Sequence, residues 1–249
     1  MVSGGIAKSG LIRHYFVFGG TLSTYNYDCT CDGHETFGTP QYVYEEITVP
    51  GRHGKLYYDT GRFENTEIKY SMFFTDMREF RDFVNKLLSF RGYQRLEDSH
   101  HPGEYRLALL TSQVELEVSG YDNEYCSLEL TFTVKPQRFL LSGENELNLT
   151  TLQQVYNPTL YPAKPLLKVY CSSSSSSFNL NGYQVQIASG NTYSYICLDC
   201  ESEDAYSGTN NCNGMIACEE FPILDPGDNQ LIRSSGISKI ILIPRWWRV

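Results

Sequence analysis

Four thiols fall in one short stretch: Cys197-x-x-Cys200, then Cys212 and Cys218. Structural zinc uses such sets when they form two close pairs on tight turns. Here the first pair ends the strand-like run YSYICLDCES, where alternation sends Cys197 and Cys200 to opposite faces. The second pair is separated by five residues. The pattern is read as unlinked thiols and no metal site, with zinc and a disulfide as alternatives; Cys29-x-Cys31 is weaker still. The histidines are His14, His34, His53, His100 and His101. EDSHHPGE sets acids beside imidazoles, as a general base or metal ligand would need. However, Pro102 and Gly103 mark a surface turn, and the reading is a solvated loop. PGRHGK has glycines and cations, but a phosphate loop needs fixed glycine spacing and a helix N-terminus after it. The run after Lys55 is strand-like, so Gly51 and Gly54 are read as turn residues. Glu45–Glu46 and Glu219–Glu220 are adjacent pairs, which a strand splits between its two faces. No Gly-x-Ser-x-Gly elbow or Ser/His/Asp set can be placed. The sequence is therefore read as non-enzymatic and without a cofactor. Asn148-Leu149-Thr150 matches a glycosylation sequon, which means little without an export signal.

The elements around these residues are mostly strands. HYFVFGG, YVYEEITVP, KLYYDTG and TEIKYSMFF are aromatic and β-branched runs between turn residues, and DCTCDGHETFGTP reads as a loop. One helix stands out in TDMREFRDFVNKLLSFRG, with an apolar face of Met77, Phe80, Phe83, Val84, Leu87 and Leu88. Asp76 with Glu79 is a capping-box pattern, and Gly92 is the expected stop. YRLALLTS, VELEVSGY and CSLELTFTVKP then alternate as three antiparallel strands. KPQRFLLSGENELNLTT breaks the alternation, which puts the domain boundary at 141/142. The second half offers short strands at even spacing and no strong helix, the pattern of a β-sandwich or jelly roll. The six serines 172–177 read as a loop or strand tip.

The chain has 249 residues, enough for one large or two ordinary domains. Its formal net charge of -9 opposes gripping nucleic acid. No apolar run has the length of a membrane span, and the first twenty residues lack a signal-peptide core. The expected site of synthesis is a cytoplasm. Aromatics make up 14% of the chain, a content that suits strands and interfaces.

The ordered set ITVPGRHGKLYYDTGRFENTEIKYSMFF, the helix after it, and LELTFTVKPQRFL resembles the N-terminal domain of siphophage distal tail proteins, the Dit family. YFVFGGTLSTYNY fits the same opening. YNPTLYPAKPLLKVY, FNLNGYQVQI, FPILDPGDNQL and KIILIPRWWRV resemble the family's C-terminal domain, so the likeness covers nearly the whole chain. It implies a mainly β protein: residues 1–141 as a ring-forming, tail-tube-like β-sandwich or barrel with one flanking helix, and 142–249 as a galectin-like β-sandwich. It further implies a virion protein, made in the host bacterial cytoplasm, that forms a ring, usually a homohexamer, at the distal end of a phage tail. The ring joins the tail tube protein to the tail-tip hub or tail-associated lysin, surrounds the DNA channel, and can contact the tape measure and receptor-binding proteins. On that reading Pro50, Gly51, Arg52, Gly54, Tyr57, Tyr58, Arg62 and Phe63 are candidate inter-subunit residues, with the arginines facing carboxylates. The alternative is a carbohydrate-binding module for host attachment through the C-terminal sandwich, with Trp246 or Trp247 as a sugar platform. In strand geometry one of these two packs inward.

Overall fold

The computed structural model describes residues 13–33, 36–119, 125–149, 154–172 and 174–249. His34, Thr150 of the sequon and Ser173 of the serine run lie outside them. The chain divides into two compact units, one ending at Arg138 and the other spanning Phe139–Arg248. Each has its own core.

In the first unit the strands are β1 (Phe16–Phe18), β2 (Leu22–Ser23), β3 (Cys29–Asp32), β4 (Tyr42–Ile47), β5 (Leu56–Phe63), β6 (Thr66–Phe74), β7 (Gln94–Asp98), β8 (Glu104–Leu110), β9 (Leu116–Ser119) and β10 (Tyr125–Leu140). The helix is α1 (Met77–Ser89). The main sheet runs β2-β1-β7-β8-β10-β6-β3, and β9 also pairs with β10. Period-2 alternation decides which residues enter the core. Ile68, Tyr70, Met72 and Phe74 of β6 are buried and stand opposite Phe132, Leu130, Leu128 and Cys126 of β10. Helix α1 buries Phe80, Phe83 and Leu87. Phe83 meets Phe74 at 5.4 Å and Tyr27 at 5.4 Å between ring centroids.

The Asp76 side chain caps α1 by accepting the Arg78 N–H at 2.7 Å. Glu79 does not close the capping box; it accepts the backbone N–H of Asp28. The helix ends at Phe90, before Gly92. Leu88, expected on the apolar face, is exposed. Two further expectations are corrected. The segment read as a loop contains β3, whose Cys29 and Cys31 are buried beside Phe74 and Met72 of β6. And the alternation ends at Val134 as expected, but the strand β10 runs on through Pro136 to Leu140.

The second unit is a sandwich of two sheets. One has the order β11 (Leu147–Asn148), β21 (Ile237–Ile243), β13 (Leu166–Cys171), β16 (Ile196–Asp199), β17 (Asp204–Ser207), β18 (Asn210–Asn211). The other has the order β12 (Gln154–Asn157), β20 (Gly227–Arg233), β14 (Ser176–Leu180), β15 (Tyr183–Ile187), β19 (Ile216–Ala217). A short strand, β22 (Trp247–Arg248), ends the chain's ordered elements. Leu167, Val169, Leu198, Ile240 and Leu242 from the first sheet and Phe178, Leu180, Val185, Ile187 and Leu231 from the second are buried in one core.

Two buried asparagines fix the loops that the sequence marks with proline and glycine. Asn157 donates to the carbonyls of Tyr161 at 2.9 Å and Leu224 at 3.0 Å, and accepts from the Thr159 N–H and hydroxyl. Asn229 donates to the carbonyls of Val155, Asp225 and Gly227 and accepts from the Asp225 N–H. An amide supplies two donors and an acceptor at one point, so it satisfies backbone groups that no ladder reaches.

Candidate assembly site

The candidate inter-subunit residues lie together on one element. β4 and β5 form a two-stranded antiparallel sheet of their own. Tyr42 pairs with Phe63, Tyr44 with Asp59, Glu45 with Tyr58, Glu46 with Tyr57 and Ile47 with Leu56, with a register shift between Tyr42 and Tyr44. Gly61, at φ +71, sits in the part of β5 that this shift leaves over. Pro50, Gly51, Arg52 and Gly54 form the exposed tip, where Gly51 and Gly54 take φ +77 and +80. A strand comes after Gly54, so the tip has no helix N-terminus to bind a phosphate.

Opposed residues of an antiparallel pair share a face. One face of this arm therefore carries Tyr42, Tyr44, Tyr57 and Phe63 together with Glu46 and Asp59. Tyr42 lies 4.3 Å from Phe63 and 6.0 Å from Tyr44, and Tyr44 lies 6.3 Å from Tyr57. The other face carries Val43, Glu45, Ile47, Leu56 and Tyr58. Tyr57 and Tyr58 are 62% and 61% exposed, so neither face is covered. Charges flank the aromatics: Lys55 pairs with Glu46 and holds its carboxyl below the usual range, and Arg52 and Arg62 are exposed. A two-stranded hairpin is marginal alone in water, and monomers rarely expose apolar patches on this scale. Among the described residues β4 and β5 pair with no other strand, so the outer edges of the arm are sheet edges of the kind that can add a strand.

Elsewhere in the first unit the histidines do more than line a loop. His101 donates its Nδ1–H to Asp98 Oδ1 at 2.9 Å, Tyr70 donates its hydroxyl to Asp98 Oδ2 at 2.7 Å, and His14 stacks on His100 at 4.2 Å. The solvated-loop expectation is thus corrected: His101 and Asp98 have nearly buried side chains. Burial raises the Asp98 carboxyl, but the hydrogen bonds from His101 and Tyr70 outweigh it and hold it low. Burial, then the neighbouring His14, lowers His100. The signal was present in the sequence as His14 and Asp98, but their proximity depends on pairing of β1 with β7.

The cysteines are free thiols. Cys200 and Cys212 belong to the sandwich core, whereas Cys197 faces Tyr206 and Lys168 across its strand neighbours. Burial raises Cys200 to about 12, which opposes thiolate formation. Among the described residues no group of three His, Cys, Asp or Glu side chains is placed to hold a metal ion. Trp246 is buried, while Trp247 stacks on Tyr161 at 4.5 Å and donates its indole N–H to the Pro162 carbonyl. Among the described residues no helix is long and apolar enough to cross a membrane.

A mainly β chain of two units, the first carrying one helix and the second a two-sheet sandwich, has the fold of phage distal tail proteins. The structure is similar to the crystal structure of the SPP1 Dit protein (gp 19.1), presented as a paradigm of the hub adsorption apparatus in phages infecting Gram-positive bacteria. The TM-score is 0.68 and the identity 11%, over 95% of this chain and 99% of that one. No protein-family model matches the sequence, and no curated protein matches it.

Proposed function

We propose that this chain is a structural virion protein of a phage tail tip, whose copies close into a ring between the tail tube and the hub. The observation that carries this reading is the β4–β5 arm, with exposed aromatic or aliphatic side chains beside carboxylates on both faces and neither face covered, on a chain with the fold of the SPP1 Dit protein. A ring needs heterologous contacts that close, and an arm that reaches a neighbour's sheet is one such contact. Tyr57, Tyr58 and Phe63 are its apolar contacts, and Arg52 and Arg62 meet carboxylates of the adjoining copy. Pro50, Gly51 and Gly54 shape the tip. Six copies are the expected number. The net charge of -9 lets DNA pass through a central channel without adhering. The tape measure and receptor-binding proteins are expected neighbours, and the role is non-enzymatic.

The test is the mass in solution by light scattering across a concentration series. The expected species has six times the 28.4 kDa chain mass, alone or once the hub protein is added. A monomer at every concentration, with and without the hub protein, overturns the reading.

A further inference from the structure

The outward face of the β11-β21-β13-β16-β17-β18 sheet gathers two cations. Leu167, Val169, Leu198, Ile240 and Leu242 point into the core, so their strand neighbours Lys168, Tyr170, Cys197, Lys239 and Ile241 point out. Tyr170 opposes Lys239, and Lys168 stands between Ile241 and Cys197. The Lys168 ammonium lies 4.1 Å from the ring centroid of Tyr195 and 5.7 Å from that of Tyr170. The Lys239 ammonium lies 5.5 Å from the same Tyr170 ring, and the two rings are 5.8 Å apart. Both ammonium groups are thus collected over one pair of tyrosines.

On a chain of formal net charge -9, cations ordinarily find a carboxylate. Among the described residues neither of these lysines forms an ion pair with one. The acids of this face lie toward its other end and are engaged: Asp199 is held by the Arg245 guanidinium at 2.6 and 2.9 Å, and Asp204 accepts from the Asn213 amide at 3.0 Å. The lysine stems lie along the sheet, since Cys197, which faces outward between Lys168 and Tyr206, is nonetheless buried. The hydrogen bond that Lys168 donates to the Tyr170 hydroxyl raises its ammonium and keeps it charged. A phenol that accepts from an ammonium still has its own proton to donate. Beyond the Tyr170–Lys239 pair the strands end in the exposed hydroxyls of Ser172 and Ser235, where the Ser172 N–H donates to the Gly236 carbonyl at 2.9 Å.

We infer that this platform binds the phosphate group of a soluble phosphate ester, between the Lys168 and Lys239 ammonium groups and with the Tyr170 and Tyr195 hydroxyls as further donors. A phosphate presents several charged acceptor oxygens in different directions, which suits point-charge ammoniums and hydroxyls arriving from separate strands. A lone carboxylate is better matched by a planar guanidinium fork, and the Arg245 fork is already taken by Asp199. Single-stranded nucleic acid would need open ring faces for its bases, but the Lys168 ammonium occupies the face of Tyr195. A bilayer or a protein partner would need protruding apolar anchors. The large apolar side chains that this unit exposes, Tyr156, Leu160 and Ile232, lie on β12, the loop after it and β20, not on this face. The site lies within the second unit and does not depend on the assembly reading.

The experiment titrates the full-length chain with glycerol phosphate in a phosphate-free buffer, reading the phosphorus NMR linewidth of the ester. In parallel, lysines are acetylated and mapped by mass spectrometry with glycerol phosphate, sodium acetate or sodium chloride present at equal ionic strength. The variants are Lys239→Gln and Lys168→Gln/Lys239→Gln, with circular dichroism as the fold control. The expected result is saturable binding, weakened at least tenfold in the double variant and by a smaller factor in Lys239→Gln. Glycerol phosphate is expected to shield Lys168 and Lys239 from acetylation, and chloride and acetate are not. The shielding and the single variant decide the matter even where the double variant misfolds. Absence of saturation, or affinity unchanged in Lys239→Gln and in a folded double variant, overturns the inference. Equal shielding by acetate also overturns it and makes the face a site for acidic protein. Binding to phosphatidylglycerol vesicles with none to glycerol phosphate overturns it in favour of a membrane surface.

Discussion

Replacing Tyr57 and Tyr58 together with serine tests the arm most directly. The two side chains point to opposite faces of β5, and in the isolated chain both are mostly in water. Folding of a single chain therefore gains little from them, and the double variant is expected to melt within a few degrees of the wild type. Assembly is different. An aromatic side chain offers about 200 Å² to bury, so covering the exposed three-fifths of each ring removes roughly 120 Å² from water. At ~25 cal/mol per Å² that is about 3 kcal/mol per tyrosine as an upper bound. Serine retains part of the contact, so about 2 kcal/mol lost per site is the working figure, or ~4 kcal/mol for the pair. This corresponds to about a thousandfold weaker association at each interface, and a closed ring repeats the loss at each of its contacts. Light scattering of both proteins across concentration, with circular dichroism as the fold control, reads the effect. The single variants separate the faces: Tyr57→Ser removes the partner of Tyr44, and Tyr58→Ser leaves that cluster whole. A double variant that assembles to the same mass with the same concentration dependence would refute the reasoning, since it would show the arm uncovered in the assembly.

Charge reversal on the arm, Arg52→Glu at its tip or Arg62→Glu at its base, should lower oligomer mass most clearly at low salt, because these side chains are exposed and screened at high salt; unchanged mass in both variants removes the arginines from the interface. Asn229→Ala should destabilise the second unit by about 3 kcal/mol, since one amide satisfies four backbone groups there, and chemical denaturation monitored by tryptophan fluorescence reads it. Gly143→Ala should also lower stability by more than a surface change does: an added Cβ would stand 2.4 Å from the Trp246 backbone nitrogen, and backbone cannot swing aside. The lowered His100 means that protonation opposes the fold, so stability should be full above its ordinary value near 6.5 and fall as pH drops through it. The contribution of Asp98, whose carboxyl is held low, persists through that window and is lost only in stronger acid. Thermal melts from about pH 7.5 to about pH 5 check this, and His100→Gln should flatten the step.

Much of the fold was legible because its elements obey local rules. The α1 stripe and the alternation in β6, β10, β13 and β15 each report a buried face within a few residues of sequence. Elements that depend on a distant partner were not legible. β3 is a strand because β6 offers its edge to Cys29 and Cys31, although Asp and Gly around them suggest a loop. β10 runs on past Pro136 to Leu140 with half-buried residues on both faces after its alternation ends at Val134, a continuation that no period-2 reading detects. The histidine pair found its partner through β1–β7 pairing, more than eighty residues away. The assembly site shows the same division. Its residues were nameable from the sequence, since tyrosines between turn glycines stand out. What the sequence could not say is that these strands form a sheet separate from the main one. A Tyr at alternate positions looks the same whether its ring enters a core or water. Only the topology, with β4 and β5 paired to each other and, among the described residues, to no other strand, marks this aromatic hairpin as the arm on which the proposed assembly rests.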